Sequence, residues 1–298
     1  MIYEIRHLTA YAYASPVPFA RHLLRLAPVG RRRQRVERAA LVVEPVPTER
    51  QDGRDFYGNA VTRMAIDAAH EGLVVSLSAR VVVTARPPVA ADATPPFEAV
   101  REAAVATTDL GATSPAHFLF PSRLVGVPGA IRAYAAACFP PGRPVLAGAI
   151  ALMGRIHADF VYEAGVTDVT TLPLMAFDMR RGVCQDFAHV MIAGLRSLGL
   201  PASYVGGYLR TVPPPGAPRL EGADAMHAWV AVWCGPAHGW IGLDPTNDVV
   251  TDTDHIVLAV GRDYADVAPV AGVIVGAGDQ RLDVGVDVVP IDDEPEPA

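Results

Sequence analysis

The N-terminal part of the chain is a series of short segments in which apolar and polar residues alternate. Such alternation is typical of strands that bury one face, and Asp52-Gly53 and Gly58-Asn59 provide turn residues between segments. No helical spacing is evident in this part. The pattern predicts an all-β N-terminal domain over residues 1–86, in the form of a sandwich, with strands at 2–7, 22–26, 39–45, 60–66 and 73–84.

The pattern changes after a proline-rich stretch at residues 87–96, which we interpret as a linker. Apolar residues then recur at helical spacing, and Gly199 is a stop signal for the last helical segment. Alternating segments return after it. We expect a second domain over residues 97–290, with helices at 97–107, 129–138, 144–157 and 183–198 and strands at 202–210, 226–234, 239–243, 256–260 and 281–289.

Two further segments show neither period. Residues 213–218 are rich in proline and predict a loop long enough to overhang a site. Residues 291–298 are acidic and contain proline, so we expect a disordered tail there.

The charge balance limits the expected partners. The 298 residues include 32 acidic and 25 basic residues, a formal net charge of −7, and every basic residue is arginine. A negative net charge argues against binding to nucleic acid or to an anionic membrane. Small molecules or peptides are the expected partners.

Three features indicate the cellular compartment. The first residues, Met1 to His7, are partly charged and lack the basic start and apolar run of a signal peptide. No apolar segment is long enough to span a bilayer. Three cysteines are an odd number and fit free thiols in a reducing compartment. We therefore expect a cytoplasmic location.

Cys184 lies where a glycine-containing turn enters a predicted apolar helix. A thiol at the start of a helix faces the positive end of the helix dipole, which favours the reactive thiolate. A buried structural cysteine is the alternative. We prefer that interpretation for Cys138 and Cys234, which lie within an apolar helix and an apolar strand.

Two downstream residues supply what a cysteine nucleophile needs, an imidazole to take its proton and a carboxylate to orient the imidazole. His227 and Asp244 lie on two predicted strands that can form a hairpin. If they face each other, the turn is centred between residues 235 and 236, and Trp229 lies opposite Gly242, a large residue opposite a small one. The spacing predicts this register, with His227 and Asp244 on one face of the sheet.

Several motifs together resemble those of the bacterial transglutaminase-like proteins. They are Arg181-Gly182-Val183-Cys184-Gln185-Asp186-Phe187-Ala188-His189, Tyr204-Val205-Gly206-Gly207-Tyr208, His227-Ala228-Trp229, Gly239-Trp240-Ile241-Gly242-Leu243-Asp244-Pro245-Thr246-Asn247 and Gly261-Arg262-Asp263-Tyr264-Ala265-Asp266-Val267-Ala268-Pro269. The resemblance continues in the N-terminal region through His7-Leu8-Thr9-Ala10-Tyr11, Leu24-Arg25-Leu26-Ala27-Pro28 and Asp55-Phe56-Tyr57-Gly58-Asn59, and so covers nearly the whole chain.

The resemblance implies an α+β fold with a papain-like core, in which the helix that carries the cysteine packs on an antiparallel sheet. It makes Cys184 the nucleophile, His227 the general base and acid, and Asp244 the residue that orients His227. An amide or peptide carbonyl would become a thioester on Cys184, which water or an amine then resolves. No calcium-loop pattern is present, so we expect a cysteine peptidase, amidase or acyltransferase with neither metal nor cofactor.

The developing negative charge on the carbonyl oxygen needs hydrogen-bond donors, of which the backbone N–H of Cys184 is the first. Animal transglutaminases use a tryptophan upstream of the cysteine, whereas all three tryptophans of this chain lie downstream. Tyr162 is our candidate for the second donor, with a packing role as the commoner alternative for a half-buried tyrosine. Trp229 and Trp240 are candidate residues of the substrate groove, with a core role as the commoner alternative for aromatic residues on a buried sheet face.

Three alternatives concern the chemistry of the same residues. A zinc site could draw on Cys184, His189, His227, Cys234 and His238, but residues 184 and 189 are five apart and do not share a helix face. A binding module that keeps the fold and lacks the chemistry is disfavoured because all three reactive residues are present. Between hydrolysis and acyl transfer we favour hydrolysis, since water is abundant and no amine site is evident.

A run of arginines stands out near the end of the first predicted domain. A solvated strand or loop is the favoured interpretation over an anion-binding patch for Arg31, Arg32, Arg33, Arg35 and Arg38.

Overall fold

The computed structural model describes residues 1–211, 225–276 and 278–291. The predicted proline-rich loop at 213–218 and the predicted tail beyond residue 291 lie outside the described residues.

The first six strands form two antiparallel sheets. They are β1 (Ile2–Val17), β2 (Phe19–Leu24), β3 (Gln34–Glu44), β4 (Glu49–Arg54), β5 (Ala60–Ile66) and β6 (His70–Val83). The predicted all-β N-terminal region is confirmed, with β4 as an additional strand. All six residues of β4 are exposed, so this strand has no buried face and no alternation to reveal it.

Helices follow this β region. They are α1 (Phe97–Val105), α2 (Gly129–Ala136), α3 (Val145–Asp159), α4 (Pro173–Met179) and α5 (Cys184–Ser197), with short 3-10 turns at Ala91–Ala93 and Pro115–Phe118. The long helix α5 ends at Ser197 with Leu198 as its C-cap, and Gly199 adopts the left-handed conformation with a φ of 76°, as expected of a helix stop. The short parallel strands β7 (Val161–Tyr162) and β8 (Arg181–Gly182) join the segment after α3 to the turn before α5.

A five-stranded antiparallel sheet forms the centre of the molecule. Its strands are β9 (Ala202–Leu209), β10 (Ala225–Trp233), β11 (Trp240–Asp244), β12 (Val249–Val250) and β13 (His255–Gly261), in the order β12-β11-β10-β9-β13. A short helix, α6 (Tyr264–Val267), follows β13. This sheet with α5 packed on it confirms the predicted α+β core.

The last two strands complete the sheets of the N-terminal region. In these sheets β14 (Val270–Val275) pairs with β2, and β15 (Gln280–Ile291) pairs with β1, giving the orders β14-β2-β5-β4 and β15-β1-β6-β3. The sequence-based division had assigned both segments to the second domain. Their hydrogen bonds instead place them in the β region, because pairing between distant strands leaves no trace in local periodicity. The rest of the proposed domain division stays a prediction.

Two cores pack on the same face of the central sheet. In one, Phe187, Val190 and Met191 of α5 pack with Tyr204 and Val230 of the sheet. In the other, residues of β1 pack with residues of β9 and β13, namely Tyr3 and Ile5 with Tyr208, Ile256 and Leu258. Tyr204 and Tyr208 are four residues apart on β9 and therefore share a face, so the β region packs beside α5 on this face of the sheet.

The two sheets of the β region have a core of their own. Leu24 and Met64 from one sheet pack with Val43 and Leu73 from the other. No helix in the described part of the chain has the length and apolarity needed to cross a membrane.

Candidate active site

Cys184 is the first residue of α5, and its free thiol is partly exposed. The helix start is fixed by Asp186, whose carboxylate Oδ2 accepts a hydrogen bond from the backbone N–H of Val183 at 2.8 Å. The same oxygen accepts one from the Thr167 hydroxyl at 2.7 Å. The N–H groups at the start of α5 point towards the end of the helix that carries the cysteine, and a helix N-terminus favours negative charge.

His227 and Asp244 lie on the neighbouring strands β10 and β11. His227 Nε2 lies 2.8 Å from Asp244 Oδ2, and the two residues are only 9% and 0% exposed. A hydrogen bond so well shielded from water holds the ring in one orientation and fixes the proton on Nε2. The other ring nitrogen, Nδ1, is then the one that serves Cys184.

The predicted register of the hairpin is wrong by two residues. Ala231 lies opposite Gly242 and Trp233 opposite Trp240, so the turn is centred between residues 236 and 237. Gly235 and Gly239 both have positive φ, and the N–H of Cys234 donates to the carbonyl of Gly239 at 2.8 Å, which makes a wider loop than predicted.

A shift of two residues keeps every side chain on its face, because the side-chain period of a strand is two. Asp244 therefore remains on the face of His227 and becomes its diagonal neighbour instead of its direct one.

The electrostatic state of His227 depends on both of its partners. Burial would lower the pKa of His227, but hydrogen bonds to Asp244 and to the Cys184 thiol raise it to about 9. The imidazole therefore carries a proton at neutral pH while it contacts the sulfur. A protonated imidazole beside a thiol stabilises the thiolate by charge.

Asp244 is the most highly coordinated side chain of the site. Beyond His227, its carboxylate accepts from Asn247 Nδ2 at 2.7 Å, from the backbone N–H of Thr246 at 3.0 Å and from His255 Nε2 at 3.2 Å. Burial would raise the pKa of Asp244, but these donors and His227 hold it well below its ordinary value. The carboxylate is therefore charged and fixed in position.

His255 and Asn247 are site residues that the sequence analysis did not assign. Asn247 lies in the same motif as Asp244, three residues later, where a turn brings it back to the carboxylate. His255 is the first residue of β13, separated from β11 by β10 and β9 in the sheet order. Only the motif offered a signal for Asn247, and no local pattern pointed to His255.

The packing of Trp229 against the two histidines depends on a glycine. The Trp229 ring stacks on His227 at 6.2 Å between centroids and meets His255 edge-on at 5.2 Å. A Cβ on Gly207 would lie 2.5 Å from Trp229 Cη2. Glycine at 207 therefore leaves room for the tryptophan that packs against both histidines.

The other three predicted site residues, Tyr162, Trp229 and Trp240, lie in different places. Tyr162 is 56% exposed and packs edge-on against Phe187, and burial followed by the charge of Cys184 raises its pKa, so it lies near the thiol. Trp229 is 2% exposed, while Trp240 packs against Phe118 and donates to the carbonyl of Thr113 at 3.0 Å. Neither tryptophan lines the described cavity at Cys184, so the expected groove role has no support from their positions.

A cavity of about 320 Å³ opens at Cys184 and His227. Its walls are mostly apolar, and the β region contributes part of them through Thr9, Tyr11, Arg25, Leu282 and Val284. The arginine in its wall, Arg25, is paired with Asp55 at 3.2 Å. The cavity is within the size range of small-ligand sites and accommodates an apolar group beside the thiol.

The five residues of the zinc alternative are not brought together at one place. His189 is fully buried and accepts a hydrogen bond from the N–H of Tyr264 at 3.2 Å, and burial lowers its pKa to about 4. Cys234 is buried, which raises its pKa to about 12. Among the described residues, no group of three or more His, Cys, Asp or Glu side chains could hold a metal ion.

Two family models match the chain. Residues 3–82 match the bacterial transglutaminase-like N-terminal region, and residues 132–245 match the transglutaminase-like superfamily. The second match contains Cys184, His227 and Asp244.

Relatives and a solved structure agree with this match. An uncharacterized protein of Mycobacterium tuberculosis is 39% identical over 97% of this chain and 93% of its own length, and one of Mycobacterium leprae is 34% identical over 96% and 97%. The crystal structure of a candidate cysteine protease from Cytophaga hutchinsonii superposes with a TM-score of 0.75 at 23% identity, covering 100% of this chain and 93% of that one. The latter likeness shows the fold.

Proposed function

The chain belongs to the transglutaminase-like superfamily, and from this premise we propose that it is a cysteine enzyme in which Cys184, His227 and Asp244 cleave an amide or peptide bond. The proposal rests on one observation above all. A fully buried carboxylate holds the imidazole of His227 at 2.8 Å, and the same imidazole contacts a partly exposed thiol at the mouth of a cavity.

In the proposed reaction, the Cys184 thiolate attacks the amide carbonyl and the C–N bond breaks. His227 gives its Nδ1 proton to the leaving amine, and a thioester remains on Cys184. His227 then takes a proton from water, whose hydroxide attacks the thioester and releases a carboxylic acid and the thiolate. Asp244 stays ionised throughout and stabilises the protonated imidazole.

The carbonyl oxygen gains negative charge in both steps. The backbone N–H of Cys184 is the proposed first donor, because it belongs to the free first turn of α5. Tyr162 is the proposed second, because its hydroxyl belongs to an exposed ring beside the thiol.

Hydrolysis is the proposed outcome, and acyl transfer to an amine is the second candidate. The second candidate is favoured by a protein-glutamine gamma-glutamyltransferase of Pseudomonas aeruginosa, which is 35% identical over 106 residues. That match spans 34% of this chain and 16% of the relative. Both reactions pass through the same thioester on Cys184.

The test is a screen of blocked glutamine- and apolar-residue peptides as amide substrates, with and without an added primary amine. Release of a carboxylic acid that depends on Cys184 supports hydrolysis, and a mass increase equal to amine minus ammonia supports transfer from a glutamine side chain. Cys138→Ala is the matched control, because it also removes one half-buried thiol. No turnover by a folded wild-type protein across the screen counts against both candidates.

A further inference from the structure

A second cavity, of about 400 Å³, shares none of its described lining residues with the Cys184 cavity. It lies where the segment before β3 and the segment after β6 meet the central sheet. Trp229, Trp240 and His255 form part of its wall. The charged residues of its wall are Arg31, Arg32, Arg33, Arg86 and Asp252.

The charges of this cavity are unbalanced. Four arginines line the cavity with one carboxylate, Asp252, which accepts from the backbone N–H of Arg86 at 3.0 Å and lies 3.8 Å from Arg33 Nη1. Burial, followed by the charge of Arg33, lowers the pKa of Arg86. The concentration of positive charge is notable in a chain whose formal net charge is −7.

Two of the arginines are held in place but are incompletely paired. Arg31 Nη2 donates to Asn59 Oδ1 at 2.7 Å, and Arg86 Nη2 donates to the carbonyl of Trp240. The Nε groups of both residues are buried and have no hydrogen-bond partner. A guanidinium group has five N–H donors, and an oxyanion is the acceptor that it binds best.

We propose that this cavity binds a small organic anion with two or more negative charges, carried on phosphate or carboxylate groups. Its volume suits a small molecule, and its flat aromatic walls at Trp229 and Trp240 suit the carbon skeleton of such a ligand. The site lies away from the thiol, so the ligand is distinct from the amide substrate.

The cavity is also connected to the candidate active site. His255 lines it, and Nε2 of the same ring donates to Asp244 at 3.2 Å. The side chain of His255 would therefore contact both the ligand and Asp244, the carboxylate that orients His227.

The test is calorimetric titration of the whole protein with pyrophosphate and, separately, with citrate, at an ionic strength held constant with sodium chloride. We expect saturable binding of one anion per chain for at least one probe. Tighter binding of pyrophosphate assigns a phosphate ligand, and tighter binding of citrate assigns a polycarboxylate. Since binding is read as heat, the result does not depend on any reaction at Cys184.

The double variant Arg32→Gln/Arg33→Gln should weaken the binding about tenfold or more, through loss of charge-assisted hydrogen bonds. The control is Arg35→Gln/Arg38→Gln, which removes the same charge from β3 outside the cavity, where the two arginines pair with Glu37 and Glu4. It should change the dissociation constant less than about twofold, as expected for screened surface charges.

A second variant tests the same cavity independently, in case the double variant does not fold. Thr113 is exposed at the cavity rim, and Trp240 contacts only its backbone carbonyl, so Thr113→Glu adds a carboxylate without removing a structural bond. It should also weaken binding. Absence of saturable binding to either probe, or equal weakening in the control variant, would overturn the proposal.

Discussion

The two cavities at the centre of the molecule differ in chemistry but meet at one buried carboxylate. The first is mostly apolar and contains the thiol of Cys184, while the second is lined by four arginines. His227 belongs to the first cavity, His255 belongs to the second, and both donate to Asp244 Oδ2. Asp244, the acid of the candidate triad, therefore connects a mostly apolar cavity with a positively charged one.

Loss of the charge of Asp244 should have the largest effect on this arrangement. Asp244→Asn keeps the shape of the side chain but no longer stabilises a protonated His227, so kcat/KM for an amide substrate should fall by roughly 10²–10⁴-fold. Steady-state kinetics on the wild type and the variant measures this decrease in kcat/KM. Asp248→Asn is the matched control, because it makes the same change four residues away, and it should retain activity within about twofold.

The raised pKa of His227 should make the stability depend on pH. The pKa of about 9 in the folded protein lies above the ordinary histidine value of 6.5, so the stabilising contribution is complete below about pH 6.5 and is lost as the pH rises through about 9. The full contribution is on the order of 3 kcal/mol. Urea unfolding of the wild type and His227→Gln at pH 6 and pH 10 measures it. An equal pH dependence in both proteins would refute this assignment.

On the other side of Asp244, His255 should act as a positioning residue. His255→Leu removes a hydrogen bond to a charged group, so we expect kcat to fall about tenfold. The pH profile should shift as well, because Asp244 would then interact more strongly with His227 and raise its pKa. His255→Gln, which keeps a donor near the position of Nε2, should restore most of the rate. A loss of stability without a shift in the profile would mean that His255 is only structural.

The smallest effect is expected at the apolar wall. Val284 is 51% exposed on β15 and lines the Cys184 cavity, so Val284→Arg should raise KM for apolar amides about three- to tenfold and leave kcat nearly unchanged, because it removes binding common to substrate and transition state. Val289→Arg is the control on the same strand, at a residue 40% exposed and outside the described wall. Equal effects of the two variants would remove the β region from substrate binding.

The sequence was informative wherever the signal was local or repeated. Cys184 at a helix start and His227 and Asp244 on one sheet face follow from motif and period, and the structure brings them together even though the register differs by two residues. Their catalytic roles stay a proposal.

What the sequence did not reveal depends on distant pairing. His255 donates to Asp244 from β13, the strand at the opposite edge of the sheet. The strand β15, near the end of the chain, pairs with β1. The arginines show the same limit: Arg35 and Arg38 make surface ion pairs, as expected of a solvated strand, whereas Arg31, Arg32 and Arg33 share a cavity with Arg86, which is distant in sequence.

The most direct test of the central claim is alkylation by iodoacetamide at pH 6.5, with peptide mass mapping of each cysteine. Burial raises the pKa of Cys138 and Cys234, so both are internal standards of low reactivity. The account predicts that Cys184 reacts at least about tenfold faster than Cys138 and that His227→Ala abolishes most of this advantage. Cys184 reacting no faster than Cys138, or equally fast without His227, would contradict an activated nucleophile at this site.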